Sequence, residues 1–188
     1  MDSLRMIIGV FLQVLTLLLF FGMQNPPIES KTVLNYDRVV VVFNESIITK
    51  SDVLLERQLA PVLKIQSEIL QYNRIHDPLE AIIQMEILRF QAGDISLYQP
   101  SNKETQLRYN EFRSQWTSIE EYQTFLVKVG VQEERIIGMI YNHLLIERYL
   151  ERNLGIEGSD SSLATQDQFH QWYLETKERV SIRYIEEL

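Results

Sequence analysis

The chain holds 188 residues, no cysteine, 18 Lys and Arg against 26 Asp and Glu, a formal charge of −8 and 45% apolar residues. That is one domain's worth of sequence, long enough to bury a core without staples, and it excludes disulfides, thiolate metal sites and a cysteine nucleophile. Basic residues dispersed among a surplus of acids argue against a nucleic-acid binder, and 7 Gly and 5 Pro amid abundant Leu, Ile and Val exclude a disordered or collagen-like chain.

The first element is an uncharged run, MIIGVFLQVLTLLLFFGM, that begins at Met6 and ends at Met23, with Arg5 before it and Asn25-Pro26-Pro27 after it. As a helix it would reach about 27 Å at ~1.5 Å per residue, just short of a ~30 Å hydrocarbon core. It reads as a signal anchor or a secretory signal. The exit FFGMQN lacks the small residues of a cleavage site, which favours retention, whereas the shortness of the run and its Gln13 and Thr16 favour a signal. Arg5 keeps the short N-terminus on the cytoplasmic side and sends the remainder across. Residues 1–30 are thus an export or anchoring segment with a Pro-rich linker. Residues 31–188 are a soluble, acidic, exported domain, tethered to the inner membrane or released into the periplasm.

Within that domain Arg38-Val-Val-Val-Val-Phe43 reads as a buried strand, Asn44-Glu45-Ser46 as a turn and Ile47-Ile48-Thr49 as its returning partner. Asn44-Glu-Ser is also an N-x-S acceptor pattern, for which the turn is the better reading. Four helix starts follow, at Thr49-Lys-Ser-Asp52, Asp77-Pro-Leu-Glu80, Ser101-Asn-Lys-Glu104 and Ser118-Ile-Glu-Glu121. Each has a short polar cap and an acid three residues on, directly before apolar residues at helical spacing. Pro61 lacks the N–H that would bond the Arg57 carbonyl, so the first helix kinks or breaks in two. Gly93, Gly130 and Gly155 are stops. The longest helix spans about 132–154 as the central core helix, with rows Ile136-Ile140-Leu144 and Ile137-Tyr141-Leu145-Tyr149. Gly158-Ser-Asp-Ser-Ser162 is a flexible loop, a last helix covers about 165–179, and Val180-Ser-Ile-Arg-Tyr-Ile185 alternates as a strand whose best partner is Val39–Phe43. The fold class is mainly α: a helical bundle with a small N-terminal β-hairpin joined by a C-terminal strand, plus the N-terminal hydrophobic helix.

The chemistry in the sequence is sparse. His143 and Glu147 share a helical face, but a metal needs three or four ligands, so the pair reads as surface or partly buried polar groups. There is no Gly-rich phosphate loop, G-x-S-x-G or H-E-x-x-H, and the adjacent acidic pairs point about 100° apart on a helix, away from any common atom. No catalytic constellation, metal or cofactor is expected. The aromatics carry more. Tyr109, Phe112, Trp116, Tyr122 and Phe125 fall on two consecutive helices, and Phe169, Trp172 and Tyr173 on the last. They are either ordinary core or, in part, the lining of an apolar groove for extended or unfolded polypeptide.

An export segment followed by V-V-V-V-F-N-E-S-I-I-T-K-S-D-V and an amphipathic helix resembles the opening of SurA-type periplasmic chaperones. The block from Ser118 to Leu150, a short helix ending in Gly and a long one closing on L-L-I-E-R-Y-L, is similar to a later helix pair of the same domain. The resemblance covers about residues 37–185. It implies a helical chaperone domain, of the trigger-factor-like kind, that holds unfolded or outer-membrane polypeptides; with the anchor retained, the arrangement is similar to membrane-tethered relatives of the PpiD kind. In that family a parvulin prolyl isomerase domain usually follows, and Val180-Ser-Ile-Arg-Tyr-Ile185 looks like its first strand. Tyr184 stands where the resemblance would place the active-site histidine, and only three residues follow Ile185, so isomerase activity is not carried over. The expectation is a non-enzymatic envelope chaperone module that needs no cofactor and binds no nucleic acid, its oligomeric state open. Its rivals are a membrane-anchored structural protein without client binding and a degenerate isomerase relative.

Overall fold

Five residues of high strand propensity, Val39–Phe43, form β1, and Ser46–Thr49 form β2 across a two-residue turn at Asn44 and Glu45. A computed structural model describes residues 37–156 and 163–185. The apolar run from Met6 to Met23, the Pro26-Pro27 linker and the loop read at 158–162 therefore lie outside the described residues. Among those described, no helix is long and apolar enough to cross a membrane.

β1 pairs antiparallel with β2 on one side and with β3, Ile182–Tyr184, on the other, giving the order β2-β1-β3. The expected backward pairing of the C-terminal strand is realised, with Phe43 opposite Ile182 and Val42 opposite Arg183. Asn44 fastens this junction. It takes up a left-handed φ of 48°, which a short polar side chain tolerates, its N–H donates to the Ser181 carbonyl at 2.8 Å, and its Oδ1 accepts the Ser181 N–H at 3.0 Å. The register of β1 against β2 shifts between Val39 and Val41, and this irregularity lets the consecutive Val40 and Val41 both turn inward.

The helices are α1 (Lys50–Leu59), α2 (Glu68–His76), α3 (Pro78–Ala92), α4 (Asn102–Arg113), α5 (Ile119–Val129), α6 (Glu133–Leu154) and α7 (Leu163–Lys177). All four expected caps form. Thr49 and Ser101 close reciprocal boxes with Asp52 and Glu104, Asp77 accepts the Glu80 N–H, and Ser118 accepts the Glu121 N–H. Glu121 departs from the box pattern by one residue: its carboxylate takes the N–H and hydroxyl of Thr117 instead of the cap residue's own N–H. The break at Pro61 is complete, because α1 ends at Leu59 and the chain runs as a loop to Ser67 before α2 begins. Gly130 and Gly155 end α5 and α6 at φ 71° and 64°, a conformation costly for residues with a Cβ.

Three apolar clusters make the core. One joins the sheet and α1 to Ile83 and Ile87 of α3 and to Tyr173. A second joins Leu88 of α3 to Leu145, Ile146, Tyr149 and Leu150 of α6, with Phe169 of α7. In the third, Tyr109 and Phe112 of α4 and Tyr122 of α5 meet Ile136 and Ile140 of α6. α6 was expected to be the central helix, but it shares that place with α3, which touches α1, α2, α6 and α7. The reason lies in α3's residues: Ala81, Ile83, Ile87, Leu88 and Ala92 are all buried and point in several directions, so the helix needs cover on more than one side.

Candidate functional site

A cleft of about 830 Å³, within the range of ligand pockets, lies between α1, α3, α6 and β2. Helical spacing explains its walls. Ile82, Met85, Glu86 and Arg89 recur at three- and four-residue intervals and present one face of α3; Arg135, Gly138, Met139, Asn142 and Ile146 do the same on α6. Leu55 and Glu56 of α1 and the whole of β2 close the remaining side. Leu55, Ile82, Met85 and Met139 are only half-buried, so apolar surface is offered to whatever enters. The two methionines are unbranched and adapt to differing shapes. Gly138 gives width: a Cβ built on it meets nothing within 4 Å.

His143 stands in the wall between this cleft and a second cavity of about 390 Å³ formed by α4, α6 and the loop after α1. Only 6% of it is exposed, and its imidazole makes no hydrogen bond within the described residues. Burial, then the charges of Arg74 and Arg108, hold its pKa well below the ordinary histidine value, so the imidazole is neutral and has one donor and one acceptor nitrogen. The sequence reading of His143 and Glu147 as surface or partly buried groups is thus corrected for His143. It faces inward because it follows Ile136 and Ile140 along the buried stripe of α6. Glu147 accepts the Gln66 N–H at 2.7 Å and meets Arg108 at 3.4 Å; burial raises its pKa against both. No group of three or more possible metal ligands occurs among the described residues.

Behind the cleft sits a buried ion pair that pattern reading missed. Arg74 of α2 is fully buried; its Nε donates to Glu56 and its Nη1 to the Leu63 carbonyl and, at 3.2 Å, to Gln71. Its Nη2 is buried without a partner among the described residues. Gln71 also accepts the Ile65 N–H and donates to the Ala60 carbonyl, so the loop that Pro61 creates folds around this group. The signal was present in Ile69-Leu70 and Asn73-Arg74, where Arg74 falls four residues after Leu70 on the face that α2 buries, but a charge there normally reads as solvated.

The aromatic candidates are placed as follows. Tyr109, Phe112, Tyr122, Phe169 and Tyr173 are core residues, 4% exposed or less; Phe112 borders the smaller cavity of about 390 Å³, and Phe169 and Tyr173 border one of about 610 Å³ between α2 and α7. They pack chiefly on one another and on α6, as in the T-shaped pair of Phe112 and Tyr122 at 6.3 Å and the stacked pair of Phe169 and Tyr173 at 6.2 Å. Trp116, Phe125 and Trp172 are half-buried at cluster edges, Trp116 lying 4.6 Å from Phe125 by ring centroids. None of the eight lines the large cleft, whose apolar walls are aliphatic and methionine. Aromatic side chains bury the most area per residue and were drawn inside for that reason. Tyr184 lies on β3 opposite Val41, half exposed. No protein-family model, curated protein or solved structure matches the chain.

Proposed function

We propose that the chain is a non-enzymatic, chaperone-like module of the cell envelope that binds unfolded or extended polypeptide in the cleft between α1, α3, α6 and β2. The observation that carries the reading is the composition of that cleft: half-buried Leu55, Ile82, Met85 and Met139 flank Asn142 and the unpartnered His143. Apolar side chains of a client gain by leaving water there, while donors and acceptors on the floor match a main chain that brings both N–H and C=O groups. A lipid acyl chain would leave those polar groups unsatisfied. From Glu134 to Ile146 the α6 wall runs about 18 Å at ~1.5 Å per residue, room for about five extended residues at ~3.3 Å each. The family-like order of segments in 37–185 supports the same reading, and the apolar run before it supports an envelope location, tethered or released.

In the test, full-length protein at several-fold excess is added to a urea-unfolded outer-membrane protein on dilution, and light scattering is followed. Suppressed aggregation is expected for the wild type and lost for Gly138→Leu, which fills the cleft without meeting a neighbour at its Cβ. No suppression by the wild type would overturn the proposal.

A further inference from the structure

The charges around the cleft are unevenly spread and unevenly paired. Of its two cations, Arg89 already holds Glu86 at 2.6 Å and Arg135 holds Asp52 at 3.5 Å. Glu56 is taken by Arg74. That leaves Asp37 and Glu134 without a cation within 4 Å among the described residues. Both belong to one end of the cleft: Asp37 accepts the Ser51 N–H at 3.1 Å, Ser51 adjoins Asp52, and Asp52 reaches Arg135, the neighbour of Glu134. Toward the other end lie Met85, Ile146 and the unpartnered His143. The cleft is therefore polarised, with an anionic mouth at the N-terminal ends of α1 and α6 and a more apolar inner end.

We infer that, on the reading proposed above, the cleft selects apolar segments that carry lysine or arginine at one end, the basic group lying between Asp37 and Glu134 and the apolar residues against Leu55, Ile82, Met85 and Met139. Uncharged apolar segments bind less tightly, because the two carboxylates lose part of their hydration with no counter-charge to meet. Acid-flanked segments bind least, because they face like charge at the mouth.

The experiment uses full-length protein and fluorescein-labelled ten-residue peptides that share one Leu- and Phe-rich centre and are flanked by two Lys, two Ser or two Glu. Anisotropy titrations at low ionic strength are expected to order the affinities Lys, Ser, Glu, with about ten-fold between the extremes, and ~1 M salt is expected to compress the difference. The double variant Asp37→Asn/Glu134→Gln should lose most of the preference while keeping its melting temperature. The control Glu151→Gln/Glu175→Gln removes the same two charges from exposed positions outside the cleft and should keep it. Equal affinity for the three peptides, or a preference that falls equally in both double variants and so reflects net charge alone, overturns the inference and leaves polypeptide binding standing. Binding of none of the peptides overturns both.

Discussion

Arg74 and His143 are the two residues whose burial has the most physical consequence, because each places an ionisable group where water cannot solvate it. Removing one member of a buried pair leaves the other uncompensated. Glu56→Leu alone should cost about 3–5 kcal/mol in urea unfolding, and Glu56→Leu/Arg74→Met should recover most of that loss. A double variant no more stable than the single one would show that the pair is not coupled. His143 makes stability depend on pH with a definite sign. Its folded pKa lies well below 6.5, its value in the unfolded chain, so the unfolded state takes up the proton first. Its contribution is intact above about pH 6.5 and declines as pH falls below that value toward the folded pKa. Glu147 acts in the opposite sense, since its folded pKa is raised and acidification through it relieves the cost of a buried charge. His143→Gln should therefore flatten the fall in unfolding free energy between about pH 7 and pH 5. An unchanged slope would assign that fall to other groups.

Among the elements, α1, α4 and α5 start at the caps read from sequence, because an N-cap is a local event involving a side chain and amides two or three residues away. The stops of α1 and α5 were equally local, at a proline that cannot donate and at a glycine. What local pattern could not give is the reason α6 carries Gly138 in mid-helix. Glycine there forfeits helix propensity, and nothing in the fold needs the space for packing. Gly138→Ala should thus raise stability by about 0.5–1 kcal/mol, measured by thermal unfolding, since it adds helix propensity and meets no neighbour within 4 Å. Destabilisation by that substitution would mean that the helix distorts at this point. The width that glycine leaves belongs to the cleft, which connects an otherwise unfavourable residue choice with the proposed binding.

At the scale of the whole molecule, three clusters are held together by elements that belong to more than one of them. Trp172 of α7 packs against both the sheet cluster and the α3–α6 cluster. Trp172→Ala should cost about 3–5 kcal/mol and should lower the protection of sheet amides in hydrogen exchange as well as those of α7. A loss confined to α7 would show that the clusters unfold independently. The antiparallel addition of β3 to β1 ties the C-terminal part of the described chain to its beginning, and Asn44 clasps the two at Ser181.

The helical class, the hairpin, the four caps, the break at Pro61 and the partner of the last strand were legible in the residues, because each follows from a period or from chemistry reaching a few positions along the chain. The N-terminal apolar run is legible only in that way. The candidate site was not legible. Tyr109, Phe112, Tyr122, Phe169 and Tyr173 have the composition of a groove and the location of a core, and only tertiary packing separates the two, since a helix's apolar stripe does not state how much of it a neighbour will cover. The cleft lines up β2, α1, α3 and α6, and its polarity comes from which acids found cations: Glu56 met Arg74 from eighteen residues away and Asp52 met Arg135 from eighty-three, while Asp37 and Glu134 met no cation among the described residues. Such pairings are set by the folded distances between side chains, and those distances exist only once the helices have packed.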